Sequence, residues 1–202
     1  WRFRTEPQPG LNGRALAFPR GRALGGSSAI NGMIWVRGHP ADFDGWAAAG
    51  NAGWGYRDVV PSFEAAERVL HVGPVPSLNP LGQRFIDACA EVGIRHNADF
   101  NSVDPSGAGR YHFNIRNGVR MTAARGYLDP VRDRGNLTIR TGARVLEVVL
   151  ENGRAIGVRC ATRGGEEIVR TRREVVLCAG AIQSPQLLLL SGIGAAQACR
   201  EH

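Results

Sequence analysis

The chain has 202 residues, 43% of them hydrophobic and 21% charged, a globular balance that excludes a disordered or fibrous polypeptide. Its net charge of +7 comes from 25 basic residues against 18 acidic ones, and every basic residue is an arginine. Apolar runs such as Leu187–Leu190 are far too short to cross a bilayer, so no transmembrane segment is expected.

The charge is uneven. Residues 1–25 and 116–144 hold the excess, and the stretch between them is acidic. The arginines neither cluster along one helix nor alternate with aromatics, so nucleic-acid binding is not expected. A dinucleotide pyrophosphate is a smaller polyanion that two basic segments would suit. The chain opens on Trp1 with no initiator Met, which reads as a piece of a larger protein, and the all-arginine basic composition reads as a bacterial coding bias.

Residues 21–36 carry the densest local signal: Gly21-Arg22-Ala23-Leu24-Gly25-Gly26-Ser27-Ser28-Ala29-Ile30-Asn31-Gly32-Met33, then the apolar Ile34-Trp35-Val36. Gly25-Gly26 permits close backbone approach to a ligand. Ser27 and Ser28 are expected to cap a helix beginning near Ala29, whose first N–H groups would attract phosphate. Arg22 adds charge, and a flexible Gly/Ser loop is the plainer alternative. Next, a helix is expected over Arg57–Leu70 with Glu64 and Glu67 on its solvent face. An amphipathic helix follows over Pro80–Val92, its apolar positions Phe85, Ile86, Ala88, Cys89 and Val92, with Gly93 as its stop. Trp35, Trp46 and Trp54 are read as core, and His39 and His112 as structural.

From Asn136 onward the chain reads as β structure. Leu137–Arg140 is a short strand, Val145–Leu150 a more apolar one. Asn152-Gly153 is the turn pair of a hairpin, and Ala155–Cys160 and Glu167–Arg172 complete an antiparallel meander. Val175–Ala179 is apolar at successive positions, as a strand buried on both faces should be. It runs into Ala179-Gly180, after which Ser184-Pro185 opens a helix that Gly192 ends. The cysteines at 89, 160, 178 and 199 lack C-x-x-C spacing, so reduced thiols, no metal site and a cytoplasmic setting are expected.

Two segments resemble signatures of the glucose–methanol–choline (GMC) oxidoreductases, flavin-dependent enzymes acting on alcohols. The first runs from Gly21 to Asp44 and includes Ile30-Asn31, Trp35 and Gly38; the second runs from Gly180 to Gly194. The wording is closest to bacterial choline-dehydrogenase-like members, and Arg125-Gly126-Tyr127-Leu128 also fits.

The resemblance implies an α/β fold: part of an FAD-binding, Rossmann-like domain with an antiparallel β-meander and the start of a substrate region. The division it implies is 1–70 for the cofactor loop and helix, 71–128 for the substrate side or lid, and 129–202 for further FAD-domain strands and helix. Arg22, Gly25, Gly26 and Ser27 would lie along the FAD pyrophosphate, and Asn31, Gly32, Met33 and Ile34 along the isoalloxazine ring. Val145 would meet the adenine and Ala179 the adenosine side. Ile30 occupies the place where some members carry a flavin-linking His, so FAD is expected to be noncovalent.

The implied reaction is hydride transfer from a small-molecule alcohol to flavin N5, giving an aldehyde or ketone, with oxygen or a quinone-type molecule as electron acceptor. No G-x-G-x-x-G occurs, and His202 stands too close to the second signature to be the family's catalytic His. The chain is therefore expected to supply cofactor contacts, no catalytic residue, and the central part of such an enzyme. Alternatives are a member that cleaves cyanohydrins and an inactive remnant or interaction module.

Overall fold

The computed structural model describes residues 1–75 and 77–201. The chain divides into two compact units, Trp1–Leu137 and the residues from Thr138 onward. His202 lies outside the described residues.

In the first unit, β1 (Arg2–Arg4) and β2 (Ala17–Pro19) form an antiparallel ribbon. A single 3-10 turn over Gly26–Ala29 leads to β3 (Ile34–Trp35). Helix α1 (Pro40–Ala48) starts at His39, whose Nδ1 accepts the Ala41 N–H at 3.1 Å, with Pro40 filling the first helical position. His39 is thus a cap, as a structural histidine should be. Helix α2 (Tyr56–Leu70) is joined to α1 by Asp44, whose Oδ1 accepts the Tyr56 N–H at 2.9 Å. Between these helices the buried Phe43 meets Trp46 and Phe63 edge to face, with ring centres 5.2 and 5.8 Å apart.

Next come β4 (Val72–Pro74), helix α3 (Pro80–Glu91), and the short parallel pair β5 (His96–Asn97) and β6 (Ala108–Gly109). Strand β7 (His112–Arg116) lies between β3 and β4 and also pairs with β8 (Val119–Arg120), all antiparallel. A π turn over Ala124–Leu128 packs on α2, where a Cβ at Gly126 would come within 2.8 Å of Leu70.

The second unit is the expected meander: β9 (Arg144–Glu151), β10 (Arg154–Thr162) and β11 (Gly165–Arg170), with β10 in the centre. Val148 and Cys160 are buried in it, and Asn152 and Gly153 adopt the positive φ values (52° and 75°) of the hairpin turn. Helix α4 (Gly180–Leu190) lies against β9, and α5 (Ala196–Glu201) follows.

Several expectations are corrected. Leu137–Arg140 forms no strand: the Leu137 N–H closes a turn onto the Arg134 carbonyl, and Arg140 is ion-paired with Glu167. Val175–Ala179 is neither a strand nor buried, since Val176 is 71% exposed and Cys178 exposed. A strand exists only through its ladder, and no described strand lies beside this apolar run.

Helix α4 begins at Gly180 rather than Ser184. Pro185 lies inside it, and the Ser184 hydroxyl accepts the N–H of Ala179 at 3.0 Å. Of the apolar positions on α3, Ile86 and Cys89 are buried whereas Phe85 and Val92 are largely exposed. Trp46 and Trp54 are half exposed. Glu67 does not face solvent but sits beneath Arg37.

Candidate functional site

The segment from Gly21 to Ile34 is a tight, cross-braced loop. Gly25 takes φ +86°, a conformation that a side chain disfavours, and a Cβ there would press within 3.1 Å of Ala124 N. Gly21 is needed for a different reason: an added Cβ would fall 2.1 Å from the Gly26 carbonyl oxygen. The Ser27 hydroxyl accepts the Gly21 N–H at 3.1 Å, drawing the two ends of the turn together.

The serines do not cap a helix at Ala29 as expected. Gly25 occupies the cap position of the 3-10 turn, with no side-chain cap bond. The Ser28 hydroxyl instead donates back to the Gly25 carbonyl at 2.5 Å and accepts the Ala123 N–H at 2.9 Å. Local carbonyls compete for such a hydroxyl, which is why a Ser-Ser pair alone does not specify a cap.

Downstream, the Asn31 and Ile30 N–H groups both bond to the Ser27 carbonyl. The Asn31 side chain accepts the Met33 N–H at 3.2 Å, and Met33 adopts φ +63°. Asn114 fastens this end. Its N–H donates to the Met33 carbonyl at 3.3 Å, while its buried side chain donates to the Met121 carbonyl at 2.6 Å. Arg120 donates to the Asn31 carbonyl at 2.6 Å, the Asn31 Oδ1 at 2.7 Å and the Ser28 carbonyl at 3.3 Å.

One face of the loop is open. Nothing lies within 4 Å of where a Cβ would stand on Gly26 or Gly32, and Ile30 and Ile34 are each more than half exposed. Arg22 is exposed, with its guanidinium 4.6 Å above the Trp1 ring. Arg22, Gly25, Gly26, Ser27, Asn31, Gly32, Met33 and Ile34 all lie in this one braced segment, with Gly25 packed against Ala124 and Gly26 and Gly32 open. Ser28 was expected only as a helix cap, and Asn114, Arg120 and Ala123 were not among the expected residues. The arginine-rich stretch from residue 116 was the only sequence signal for the last two.

Below the loop, Arg37 and Glu67 form a two-pronged ion pair, with Nε–Oε1 at 2.6 Å and Nη2–Oε2 at 2.5 Å. Trp35 Nε1 donates to the same Oε1 at 2.9 Å, and the Arg37 N–H donates to Asn101 at 2.8 Å. The hydrogen bonds from Arg37 hold the Glu67 carboxyl below its ordinary range, against the opposing effect of burial. These contacts fix the strand that leaves the loop.

Val145 and Ala179 belong to the second unit. Val145 lies in β9 opposite Cys160 and is half-buried, while Ala179 is exposed at the start of α4. The far end of α4 is tied to β9: the Ser191 hydroxyl accepts the Val148 N–H at 2.8 Å and donates to the Leu187 carbonyl at 2.5 Å. The turns 140–143 and 162–164 enclose an open notch of about 510 Å³, which Val145 does not line. Among the described residues, no group of three His, Cys, Asp or Glu side chains could hold a metal ion, and no helix is long and apolar enough to cross a membrane.

A glycine-braced loop and an antiparallel meander with its helix are features of a partial nucleotide-binding α/β domain. Residues 8–199 match the GMC oxidoreductase family, and the chain belongs to that family. It is 42% identical to the oxygen-dependent choline dehydrogenase of Photobacterium profundum, over 96% of this chain and 37% of that protein. The enzyme of the same name from Brucella anthropi is 40% identical over the whole chain and 39% of its own length. The chain therefore spans well under half of the curated relatives it matches.

Among solved structures, pyridoxine 4-oxidase from Mesorbium loti superposes with a TM-score of 0.91 at 38% identity, covering 98% of this chain and 42% of that one. An FAD-dependent oxidoreductase from Chaetomium thermophilum gives 0.88 at 26% identity, covering 98% of this chain and 39% of that one.

Proposed function

We propose that this chain supplies cofactor contacts to an FAD-dependent oxidoreductase acting on a small-molecule alcohol. Arg22, Gly25, Gly26 and Ser27 would lie along the pyrophosphate, and Asn31, Gly32, Met33 and Ile34 along the ring. Val145 and Ala179 would serve the adenosine end, and residues 71–128 would contribute to the substrate side.

The observation that carries this reading is the Gly21–Ile34 loop: braced by Asn114, Arg120 and Ala123, open at Gly26 and Gly32, and with Ile30 and Ile34 exposed. A flat, partly apolar ring with a charged tail suits such a surface, because backbone can approach it closely where no Cβ intervenes. Bound FAD would supply the two-electron acceptor for the alcohol's carbon-bound hydrogen. The chain's own part is placement: hydrogen bonds made by Ser27, Ser28 and Arg120 hold the loop's shape, which limits the ordering left to be done on binding. Ile30 offers no nucleophilic atom, so the FAD would be held noncovalently. The electron acceptor would be oxygen or a quinone-type molecule.

The test is direct. The oxidoreductase that carries this chain is stripped of flavin, titrated with FAD and followed by flavin fluorescence, then denatured in acid to release the cofactor. Quenching that saturates at one equivalent, with all flavin freed by acid, is the expected result. No saturable binding, or flavin that stays with the precipitated protein, contradicts it.

A further inference from the structure

Asn31 has one end that only accepts hydrogen bonds and one that only donates, and the end facing outward decides what it offers a ligand. Its inner atom receives two donors, Arg120 Nη1 at 2.7 Å and the Met33 N–H at 3.2 Å. Neither a guanidinium nor a backbone N–H can accept, so that atom is the oxygen; the reverse orientation would set N–H against N–H twice. The NH2 group is thereby turned the other way, and no acceptor from the described residues is hydrogen-bonded to it.

The arginine responsible is itself held. Arg120 ends β8, which is paired through β7 to β3, the strand that continues from Asn31. The Arg120 carbonyl accepts from Arg125 Nη1 at 3.2 Å. One Nη1 serves the Asn31 side chain, the Asn31 carbonyl and the Ser28 carbonyl together. The Met33 N–H alone would leave the amide one neutral bond; the guanidinium adds a charge-assisted one, roughly twice as strong.

We infer that Arg120 is a positioning residue for the cofactor: it locks the Asn31 amide with its NH2 outward, as a preset donor to a carbonyl-type acceptor on the bound ring. The inference rests on the proposal that Asn31 lies against FAD. The pyrimidine edge of an isoalloxazine presents carbonyl oxygens and ring nitrogens that accept, so a fixed donor meets it without reorientation. Arg120 would act through Asn31 rather than by a contact of its own, and the test below separates the two.

A double-mutant cycle tests this. Arg120→Met and Asn31→Ala, singly and together, are titrated with FAD, and thermal unfolding of each variant is recorded alongside. Each single change is expected to weaken binding about tenfold, and the pair to be no worse than either alone, because both remove the same hydrogen bond. Arg120→Lys, which can keep one donor on Oδ1, is expected to recover part of the loss, and it carries the comparison if Arg120→Met does not fold. Losses that multiply to about a hundredfold overturn the inference, since Arg120 would then act through the backbone carbonyls instead.

A second readout needs no cofactor. Nitrogen-15 relaxation of the side-chain NH2 groups in the free chain should show Asn31 becoming mobile in the arginine variants while Asn114 stays ordered. An Asn31 amide indifferent to Arg120 overturns the inference even where FAD binds. An ordered, Arg120-dependent amide in an oxidoreductase that takes up no FAD overturns the proposed function instead.

Discussion

The hydroxyl of Ser28 accepts the backbone N–H of Ala123 at 2.9 Å, across 95 residues of sequence, while donating to the Gly25 carbonyl in its own turn. One side chain thereby fixes both the shape of the glycine turn and the place where the 114–126 segment seats against it. Ser28→Ala leaves the Ala123 N–H without its acceptor and releases the Gly25 carbonyl. The expected cost is about 1–2 kcal/mol in urea unfolding, with weaker FAD uptake than the parent. Unchanged stability would remove Ser28 from this role.

Gly21 and Gly32 make opposite predictions from the same substitution. Alanine at Gly21 must displace the Gly26 carbonyl, so Gly21→Ala is expected to destabilise by about 2 kcal/mol or more. Alanine at Gly32 meets nothing, and stability should stay within about 0.5 kcal/mol of the parent. FAD affinity should nevertheless fall in Gly32→Ala, because the new methyl stands where the ring is proposed to lie. Paired thermal melts and FAD titrations check both.

Glu67 makes stability depend on acid. Its carboxyl is held below the ordinary value of 4.5 in the folded chain, chiefly by hydrogen bonds from Arg37, so the folded state favours the ionised form. That contribution is complete above about pH 4.5 and is lost as the pH falls further, through the lowered folded value. Glu67→Gln should cost about 2 kcal/mol at pH 7 and flatten the decline of the urea midpoint below pH 4.5. Parallel acid profiles for parent and variant would show that the pair contributes nothing.

Ser191 sits where a nucleophile could be imagined, yet both of its hydrogen-bonding roles are structural. Ser191→Ala is expected to lower stability by about 1–2 kcal/mol through the orphaned Val148 N–H. Reaction with a serine-directed phosphonate is expected to be nil in parent and variant alike.

Cys178 and Cys160 separate two readings of neighbouring apolar runs. Cys160 is buried within the meander and Cys178 is exposed. A water-soluble maleimide should therefore label Cys178 in the native chain and reach Cys160 only after unfolding. Native protection of Cys178 would mean that the 175–179 run is covered.

The local chemistry of the chain was largely legible in advance. Asn152-Gly153 required its hairpin, because both residues tolerate positive φ there, and the apolar stretches on either side became its strands, with Val148 and Cys160 buried. Helix α3 followed from apolar spacing, and α2 from its local composition, each within one or two residues. The glycine turn could be placed, and its family resemblance stated, because the features that mark it are contiguous. Each of these depends on neighbours a few residues apart.

Tertiary structure decided the rest, since hydrogen bonds and ion pairs form between groups that only folding brings together. Glu67 looked like a solvated helix residue until Arg37 and Trp35, about thirty positions earlier, were seen to converge on it. Ser28 looked like a cap until Ala123 claimed its hydroxyl, and Arg120 carried no mark of its own beyond a basic stretch of sequence. The run at Val175 shows the converse: apolar residues can propose a buried strand, but only flanking strands can make one. A side chain's chemistry belongs to the residue, whereas its partner belongs to the fold.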